Sequence, residues 1–431
     1  MSNDTTGDPK SLVAADVAIV GAGAAGLATA IFVARRNPSL AVILLDGANK
    51  PGAKILISGG GRCNVTNTIV EADDFHGGSR NTIRRILKEF TAADAVALFD
   101  DLGVTLHEEE HGKLFPDSHS AKTILGALLR EVERHAVRLL AGHRVTSIDR
   151  NKEGFAVRTP NGDFTSPIVV LATGGMSLPK TGSDGGGYQL VQSLGHTIVP
   201  TTPALVPLVL DGEFHKALSG ISHEVELIIA VEKPVRVRGA LLWTHFGISG
   251  PVVLDASRHW HRAILEHRPV AMSANLIPQF DFASAEQAFL ELAAKHPITK
   301  LQNALAAWLP VRVSEALVTA ASVNGHTQLG QVSREVRQRL IRLLLDWPLP
   351  VRASRGYNYA EVTAGGVPLS EIDPTSMMSR QCPGVFLVGE ILDVDGRIGG
   401  FNFQWSWSTA WVAAKGIIAG RSQSRIPQGT L

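Results

Sequence analysis

Three glycines and one aspartate near the start of the chain have the types and spacing that dinucleotide binding requires. Gly21, Gly23 and Gly26 form a G-x-G-x-x-G turn, and Asp46 follows Gly26 by twenty positions. In such a turn the first glycine permits a tight bend and the second lets the backbone approach a pyrophosphate. The third lets a helix pack closely on a sheet, and the acid can accept hydrogen bonds from a ribose. These residues together predict an adenine dinucleotide site.

The surrounding residues predict the elements that would hold this turn. Residues 17–20 and 42–45 are apolar runs typical of strands, and a helix of small residues is expected over residues 24–36, ended by Asn37-Pro38. The N-terminus of that helix would present unpaired N–H groups and the positive end of its dipole to phosphates. Strand, turn, helix, strand and acid occur in register, which predicts a complete βαβ unit.

A second glycine-rich segment, residues 47–67, is expected to close over the same dinucleotide. Three consecutive glycines, residues 59–61, can expose successive N–H groups that bind an anion. Lys54 and Arg62 flank them with positive charge, and an arginine can bind a phosphate in a bidentate way. A mobile surface loop is the alternative interpretation of this segment.

The chain contains two cysteines, Cys63 and Cys382, which are far apart in sequence. Neither belongs to a Cys-x-x-Cys pair, so a disulfide reductase and a cysteine-rich metal site are both disfavoured. We predict no metal site. Cys63 is interpreted as a packed or backbone-contacting residue, because no neighbouring histidine or aspartate in the sequence supplies a base for a nucleophile.

Small residues also follow a later apolar run. Ala172-Thr173-Gly174-Gly175 comes directly after residues 168–171, and its small side chains suit a strand end that passes beneath a cofactor. A flexible, glycine-rich loop follows over residues 181–188. An active-site loop and a plain turn are both open interpretations of that loop.

The segment 384–405 distinguishes between adenine dinucleotides. An apolar strand ends in Gly389-Glu390, an acidic loop continues through Asp395, and Gly399-Gly400 opens the last helix. In flavin proteins of the two-module type, a carboxylate after such a strand binds the ribityl chain, and the following helix N-terminus faces the pyrimidine edge of the flavin. NAD has no ribityl chain, so this segment favours FAD.

The composition gives no global charge bias toward nucleic acid or an anionic membrane. Among 431 residues, Lys and Arg total 41, and Asp and Glu total 40. The first ten residues lack a basic-then-apolar signal, and no apolar stretch reaches the length of a membrane span. We therefore expect a cytoplasmic protein with no membrane partner and with a disordered tail over residues 1–14.

Four segments resemble the signature of a known family, the bacterial YhiN/BaiN-like flavoproteins, within the wider group of flavoproteins with two dinucleotide-binding domains. They are residues 56–67, 243–251, 362–367 and 389–396, and the resemblance extends from about residue 15 to residue 420. It implies an α/β fold with a Rossmann-like FAD-binding domain built from residues 15–200 and 363–431. It also implies a β-barrel-like insert over residues 201–278 and 346–362 and a helical insert over residues 279–345.

The resemblance implies FAD bound without a covalent link. The predicted cofactor-binding residues are Gly21, Gly23, Ala24, Ala25, Gly26, Asp46, Gly47, Lys54, Ser58, Gly60, Gly61, Arg62, Cys63, Asn64, Val145, Ala172, Thr173, Gly174, Gly389, Glu390, Asp395, Gly399, Gly400 and Asn402. Arg397 and Phe401 stand where tyrosines are expected in the family, so no substrate is transferred from any one member.

Family members have been assigned as reductases of conjugated steroid enones or as oxidases of aminoacetone. We expect an FAD-dependent oxidoreductase that transfers hydride through flavin N5, with NAD(P)H-dependent reduction of a conjugated enone-like small molecule as the leading hypothesis. The sequence contains one dinucleotide fingerprint and no identified NAD(P)H site, so in a reductase the nicotinamide donor would bind transiently. For the same reason, an oxygen-using amine oxidase is an alternative. A flavin-binding regulator without turnover is another.

An RNA-acting flavoprotein, such as a tRNA-modifying enzyme, is a further alternative suggested by a basic amphipathic helix over residues 334–342. The near-neutral net charge argues against a nucleic-acid partner. His245 is the candidate acid–base residue, because histidine titrates near neutral pH; a structural, hydrogen-bonding histidine is the open alternative. The pocket is expected where residues 174–188, 243–251 and 399–404 meet, and the oligomeric state stays open.

Overall fold

The computed structural model describes residues 13–424. Its helices are, in chain order, Ala24–Arg36 (α1), Ala53–Ile57 (α2), Arg80–Glu89 (α3), Ala92–Asp101 (α4), Ala121–Arg134 (α5), Gly186–Ser193 (α6), Pro251–Leu265 (α7), Phe282–Lys295 (α8), Leu301–Leu305 (α9), Val311–Ala320 (α10), Arg334–Leu345 (α11) and Phe401–Ser424 (α12). None of these described helices is long and apolar enough to span a membrane.

The strands begin with the pair that flanks the glycine turn and continue to the segment before the last helix. They are Val13–Ala14 (β1), Val17–Val20 (β2), Val42–Leu45 (β3), Thr66–Asn67 (β4), Phe75–Gly77 (β5), Leu106–Glu109 (β6), Lys113–Pro116 (β7), Arg138–Leu140 (β8), Ser147–Asn151 (β9), Gly154–Thr159 (β10), Gly162–Ser166 (β11), Val169–Leu171 (β12), Val199–Ala204 (β13), Leu208–Leu210 (β14), Ser222–Ala230 (β15), Val235–Thr244 (β16), Gly247–Ser249 (β17), Ala271–Asn275 (β18), Trp347–Leu349 (β19), Val351–Ser354 (β20), Val362–Gly366 (β21), Val385–Leu387 (β22) and Val394–Gly396 (β23). The described residues divide into two compact units: a first unit of residues 13–201 and 361–424, and a second unit of residues 202–360.

A five-stranded parallel sheet forms the centre of the first unit. The strand order is β22, β12, β2, β3 and β8. β2 and β3 are buried along their whole length, as expected for a parallel sheet covered on both faces. The chain runs outward from β2 to β3 and β8 and later adds β12 on the other side of β2. The topological switch point therefore lies between β2 and β12, and ligands of such sheets bind there, outside the carboxyl ends of the strands.

The last helix packs against the first helix of the chain. The ring centroids of Phe32 in α1 and Trp411 in α12 lie 5.1 Å apart, and the guanidinium of Arg36 lies 3.7 Å from the Trp411 ring centroid. Just after β22, a Cβ on Gly389 would lie 2.8 Å from the Cβ of Ala25. Residues from both ends of the described chain thus contribute to one core, and the predicted α/β, Rossmann-like fold class is confirmed.

The N-terminal boundary differs from the prediction of a tail through residue 14. Val13 and Ala14 form β1, which pairs in parallel with β11, with Val13 opposite Phe164. Composition did not indicate this strand, because the partner that stabilises it is distant in sequence. Residues 1–12 of the predicted tail lie outside the described residues.

The second unit contains a seven-stranded antiparallel sheet and the helices α7 to α11. The strand order is β19, β18, β15, β16, β17, β14 and β20. Val225, Leu227 and Trp243 are fully buried in its core. The predicted basic helix is present as α11, which begins after Ser333, whose Oγ accepts a hydrogen bond from Val336 N. The division of this unit into a β-barrel-like and a helical insert stays a prediction.

Candidate cofactor-binding site

The three glycines of the G-x-G-x-x-G turn have different surroundings. A Cβ on Gly21 would lie 2.4 Å from the carbonyl oxygen of Ala172, and a Cβ on Gly26 would lie 1.8 Å from the carbonyl oxygen of Gly21. A Cβ on Gly23 would meet nothing within 4 Å. Packing therefore requires glycine at 21 and 26, whereas Gly23 faces open space. No described side chain caps the N-terminus of α1, so its N–H groups can bind an anion.

Asp46, at the end of β3, holds the glycine turn. Its Oδ2 accepts a hydrogen bond from Ala22 N at 2.6 Å, and its Oδ1 accepts one from Ala48 N at 2.7 Å. Burial raises the pKa of Asp46, while these two N–H groups and the charge of Arg144 oppose the increase. Each carboxylate oxygen can accept further hydrogen bonds, so the ribose contact is compatible with this geometry and stays a prediction.

Arg144 connects the loop of residues 181–188 to the segment after β3. Its Nη1 lies 2.8 Å from Asp184 Oδ2, and its Nη2 donates to Asp184 Oδ1 at 2.9 Å, which makes a bidentate pair. A Cβ on Gly47 would lie 3.1 Å from the Arg144 Cβ, and a Cβ on Gly187 would lie 1.9 Å from Thr173 Oγ1. The loop therefore packs along the carboxyl ends of the central strands.

Some buried polar side-chain atoms in the first unit have no hydrogen-bond partner among the described residues. Asn64 Oδ1, Thr173 Oγ1 and Ser183 Oγ are among them, and atoms of this kind also occur in the second unit. Because buried polar atoms are nearly always paired in native proteins, these oxygens indicate a polar ligand. Asn64 and Thr173 are predicted cofactor contacts. Sequence reasoning missed Ser183, whose signal was its place in a glycine-rich loop. The residues present thus fit a dinucleotide cofactor.

A polar network joins four segments that are distant in sequence. Lys54 Nζ lies 2.5 Å from Glu390 Oε2 and 2.6 Å from Ser177 Oγ. Glu390 Oε1 accepts hydrogen bonds from Ser177 Oγ and from Thr363 N, each at 2.9 Å. The orientation of the Glu390 carboxylate is therefore fixed by three donors. Sequence reasoning missed Ser177 and Thr363; Thr363 lies in one of the family-like segments, whereas Ser177 carried no signal.

The second glycine segment forms a left-handed turn after α2. The φ angles of residues 59–61 are 55°, 68° and 84°, a region that favours glycine. Arg62 Nη1 lies 2.5 Å from Glu109 Oε1, and the Arg62 guanidinium lies 4.1 Å from the ring centroid of Phe115. The ion pair uses part of the Arg62 donor set, and the predicted phosphate contact of Arg62 stays a prediction.

Cys63 is fully buried at the end of this turn. Burial raises the pKa of its thiol to about 12, against the opposing effect of a hydrogen bond with Ser58. The Ser58 hydroxyl itself donates to the carbonyl oxygen of Ile55 at 2.7 Å. A thiol that stays protonated at neutral pH is a poor nucleophile, which agrees with the interpretation of Cys63 as a packed residue.

Two asparagines hold the loops around the start of α12. Asn67 Nδ2 donates to the carbonyl oxygen of Gly399 at 3.2 Å. Asn402 Nδ2 donates to the carbonyl oxygen of Gly396 at 2.9 Å, and Asn402 Oδ1 accepts from Gly396 N at 2.8 Å. A Cβ on Gly400 would lie 2.5 Å from the backbone of β4. The Asn402 side chain thus fixes the acidic loop that precedes the helix.

The remaining predicted residues fall into both units. In the first unit, Ala24 and Ala25 lie in the first turn of α1, Val145 and Asp395 are buried, and Gly174 has a positive φ. His245 lies in the second unit, exposed in the turn between β16 and β17. All predicted cofactor contacts therefore lie in the first unit. The pocket predicted from segments of both units stays a prediction.

Comparison with known proteins gives a match over nearly the whole chain. Residues 15–416 match the family described as HI0933-like protein Rossmann domain. The chain is 36% identical over 411 residues to a ribosomal RNA dihydrouridine synthase of Escherichia coli, covering 94% of this chain and 99% of that one. A ribosomal RNA dihydrouridine synthase of Haemophilus influenzae is 32% identical over 93% of this chain and 97% of its own. A 3-dehydro-bile acid delta(4,6)-reductase of Clostridium scindens is 31% identical over 95% of this chain and 99% of its own.

Solved structures share the fold at low sequence identity. The quinol fumarate reductase FrdA of Escherichia coli has a TM-score of 0.51 at 16% identity, covering 97% of this chain and 72% of that one. The 3-ketosteroid delta1-dehydrogenase of Sterolibacterium denitrificans has a TM-score of 0.50 at 12% identity, covering 94% and 100%. At these identities the likeness shows the fold alone.

Proposed function

Because the chain belongs to the HI0933-like family and is an FAD-dependent oxidoreductase, we propose that it reduces a double bond in a uracil base of RNA. That carbon–carbon double bond is conjugated to a carbonyl group. The proposal rests on the near-full-length identity to two ribosomal RNA dihydrouridine synthases. Dihydrouridine forms when a hydride and a proton add across the ring double bond of uracil, which is conjugated to a ring carbonyl. The 3-dehydro-bile acid delta(4,6)-reductase of Clostridium scindens fits the same chemistry. In a 3-dehydro acid, a double bond at position 4 is likewise conjugated to the carbonyl group.

Bound FAD supplies hydride transfer at its N5 atom, and residues of the first unit would hold it. The uncapped start of α1 beside Gly23 would bind the pyrophosphate, and Asp46 would accept hydrogen bonds from the adenosine ribose. Glu390, fixed by Lys54, would orient the ribityl chain. The unpartnered oxygen of Thr173 would gain a hydrogen-bond partner.

The reaction also needs a proton at the carbon next to the carbonyl. We propose His245 as its source, because the imidazole is exposed and an imidazole can act as a general acid. His245→Ala is then expected to lower turnover while leaving the FAD affinity unchanged. His326→Ala, also an exposed histidine of the second unit, is the matched control. Equal loss of turnover and FAD binding in His245→Ala would remove the proposed role.

Charge in the second unit supports an RNA substrate. Residues 202–360 contain sixteen Lys and Arg against thirteen Asp and Glu. This unit therefore carries a positive net charge although the net charge of the whole chain is near neutral. Arg334, Arg339 and Arg342 are exposed on α11. Basic side chains bind the phosphates of a nucleic acid whatever its nucleotide sequence. We therefore propose a nucleic-acid partner, although the near-neutral net charge of the whole chain argued against one.

The test combines a spectrum with RNA analysis. The purified yellow protein is titrated anaerobically with NADPH and then NADH while the flavin absorbance is followed, and ribosomal RNA lacking dihydrouridine is then added. Reoxidation of the flavin together with a mass gain of two hydrogens at one uridine is the expected result. If the flavin is reduced but RNA stays unchanged, the RNA proposal is wrong.

A small conjugated enone is the second candidate, favoured by the identity to the bile acid reductase. The same reduced protein is mixed with a steroid that carries a 3-oxo group and a double bond at position 4. Reoxidation by the steroid with none by RNA would select this candidate. Reduction of the flavin by an amine, followed by reoxidation by O₂ that releases peroxide, would select the oxidase alternative.

A further inference from the structure

A cluster of two histidines and a glutamate lies on the hairpin formed by β6 and β7. His107 and Glu109 are two positions apart on β6, so their side chains project from the same face of the strand. His119 follows β7, and one ligand atom from each of the three residues lies within 4.8 Å of the other two. The ring centroids of His107 and His119 are 4.7 Å apart.

The separation of the ligand atoms suits a shared metal ion. His107 Nε2 and Glu109 Oε1 are 3.5 Å apart. Two ligand atoms that each bind zinc at 2.0–2.2 Å with tetrahedral geometry lie about 3.3–3.6 Å apart. The distance is long for a hydrogen bond between these two atoms, and it matches two ligands of one ion.

A second carboxylate orients His107 for metal binding. Asp117 Oδ1 lies 3.0 Å from His107 Nδ1. An N–H on Nδ1 that donates to this carboxylate leaves the Nε2 lone pair directed at the cluster. Metal-binding histidines generally have such an outer partner, which fixes the tautomer and raises the basicity of the ligand. The chain therefore supplies three ligands and an orienting group.

We propose that His107, Glu109 and His119 bind a divalent transition-metal ion, with zinc as the best match. Two imidazoles and one carboxylate form a ligand set that zinc accepts, and three protein ligands leave one coordination position open. His107 and Glu109 are each 30% exposed, so the ion can enter from solvent. Sequence reasoning predicted no metal site, because a twelve-residue separation of the histidines matches no common zinc-binding spacing.

The site is adjacent to the second glycine segment. Glu109 Oε1 also accepts a hydrogen bond from Arg62 Nη1 at 2.5 Å, and Arg62 directly follows the three left-handed glycines. Metal binding at Glu109 would draw electron density from the oxygen that Arg62 contacts. The ion would therefore weaken the Arg62–Glu109 pair and alter the position of this turn. This inference does not depend on the proposed reaction.

The test uses Co²⁺, whose visible absorption reports coordination geometry, on the full chain. The wild-type protein is titrated with Co²⁺ and then with Zn²⁺, and metal content is measured by mass spectrometry after dialysis. We expect one Co²⁺ per chain, a visible band typical of low coordination number, and displacement by Zn²⁺. A wild-type protein that retains neither ion would overturn the proposal.

The hairpin offers a matched pair of variants. His119 and His111 both have left-handed backbone angles, with φ of 49° and 63°, and asparagine tolerates that region. His119→Asn is expected to lose the Co²⁺ band, whereas His111→Asn should retain it, with unchanged circular dichroism in both. Asp117→Asn should weaken metal affinity by about 10–100-fold. Equal loss in the two histidine variants, or no loss in either, would contradict the assignment.

Discussion

The two glycine segments of the first unit use the same residue for different physical reasons. In the first turn, a Cβ on Gly26 would overlap the carbonyl oxygen of Gly21, so the constraint is packing between helix and sheet. In the second, residues 59–61 have left-handed φ angles, and a Cβ on Gly60 would meet nothing within 4 Å. There the constraint is the backbone angle. Glycine spacing alone therefore does not reveal the energetic cost of a substitution.

The largest expected effect is at Gly26. The added methyl of Gly26→Ala would lie 1.8 Å from the Gly21 carbonyl oxygen, so α1 must move away from the sheet. We expect a loss of about 3 kcal/mol or more in the free energy of unfolding, measured by urea denaturation. Wild-type stability in this variant would contradict the packing explanation.

Gly23→Ala separates binding from packing within the same turn. The backbone of Gly23 is extended, with φ of −81° and ψ of −167°, and the new methyl meets no protein atom. We expect the stability without FAD to stay at the wild-type value, and the FAD affinity to fall about a hundredfold, or about 2.7 kcal/mol. Calorimetric titration of the apoprotein measures this. An unchanged FAD affinity would show that the pyrophosphate does not bind at this turn.

Gly60→Ala tests the conformational constraint of the second segment. An alanine at φ of +68° costs about 1–2 kcal/mol. Gly60→Asn is the matched control, because asparagine tolerates left-handed angles better. We expect a lower urea midpoint for the alanine variant than for the asparagine variant. Equal midpoints would show that the backbone angle is not the source of the cost.

The smallest expected effect concerns the Arg144–Asp184 pair, which holds a third glycine run at residues 185–187. The hydrogen bond from Arg144 holds the pKa of Asp184 below its usual range, against the effect of burial. The stability from this lowered pKa is therefore present above about pH 4 and is lost as the pH falls through the folded value. Both side chains are at least one-third exposed, so Asp184→Asn should cost less than about 1 kcal/mol at neutral pH.

The pH dependence checks the sign of that effect. Urea midpoints of wild type and Asp184→Asn are compared between neutral pH and about pH 3, where a carboxyl group of ordinary pKa is protonated. We expect the difference between the two proteins to shrink as the pH falls. A difference that grows in acid would exclude the pair as its cause.

The first βαβ unit could be predicted from sequence because its signals are local. The apolar runs of β2 and β3, the glycine spacing and Asp46 lie within thirty residues, and the observed bounds of α1 equal the predicted ones. Local periodicity also predicted α11. In each case neighbouring residues determine the element, because backbone hydrogen bonds and side-chain faces repeat over a few positions.

Side-chain partners across long sequence separations could not be predicted. Lys54 and Glu390 are 336 positions apart, and Ser177 lies between them in sequence. Their meeting depends on the order of the strands in the sheet, which single-residue patterns do not encode. The same reason explains why Val13 was assigned to a tail, since its strand exists through pairing with β11.

The position of β22 in the central sheet has a consequence for how the protein is made. This strand pairs with β12, and α12 packs on α1, yet both elements come after residue 384. Synthesis proceeds from the N-terminus, and domains fold as units once their residues are available. The ribosome therefore completes the second unit, residues 202–360, before the first unit has its last strand and helix. A nascent chain arrested before residue 384 would lack β22 and would leave the edge of β12 that pairs with it unpaired.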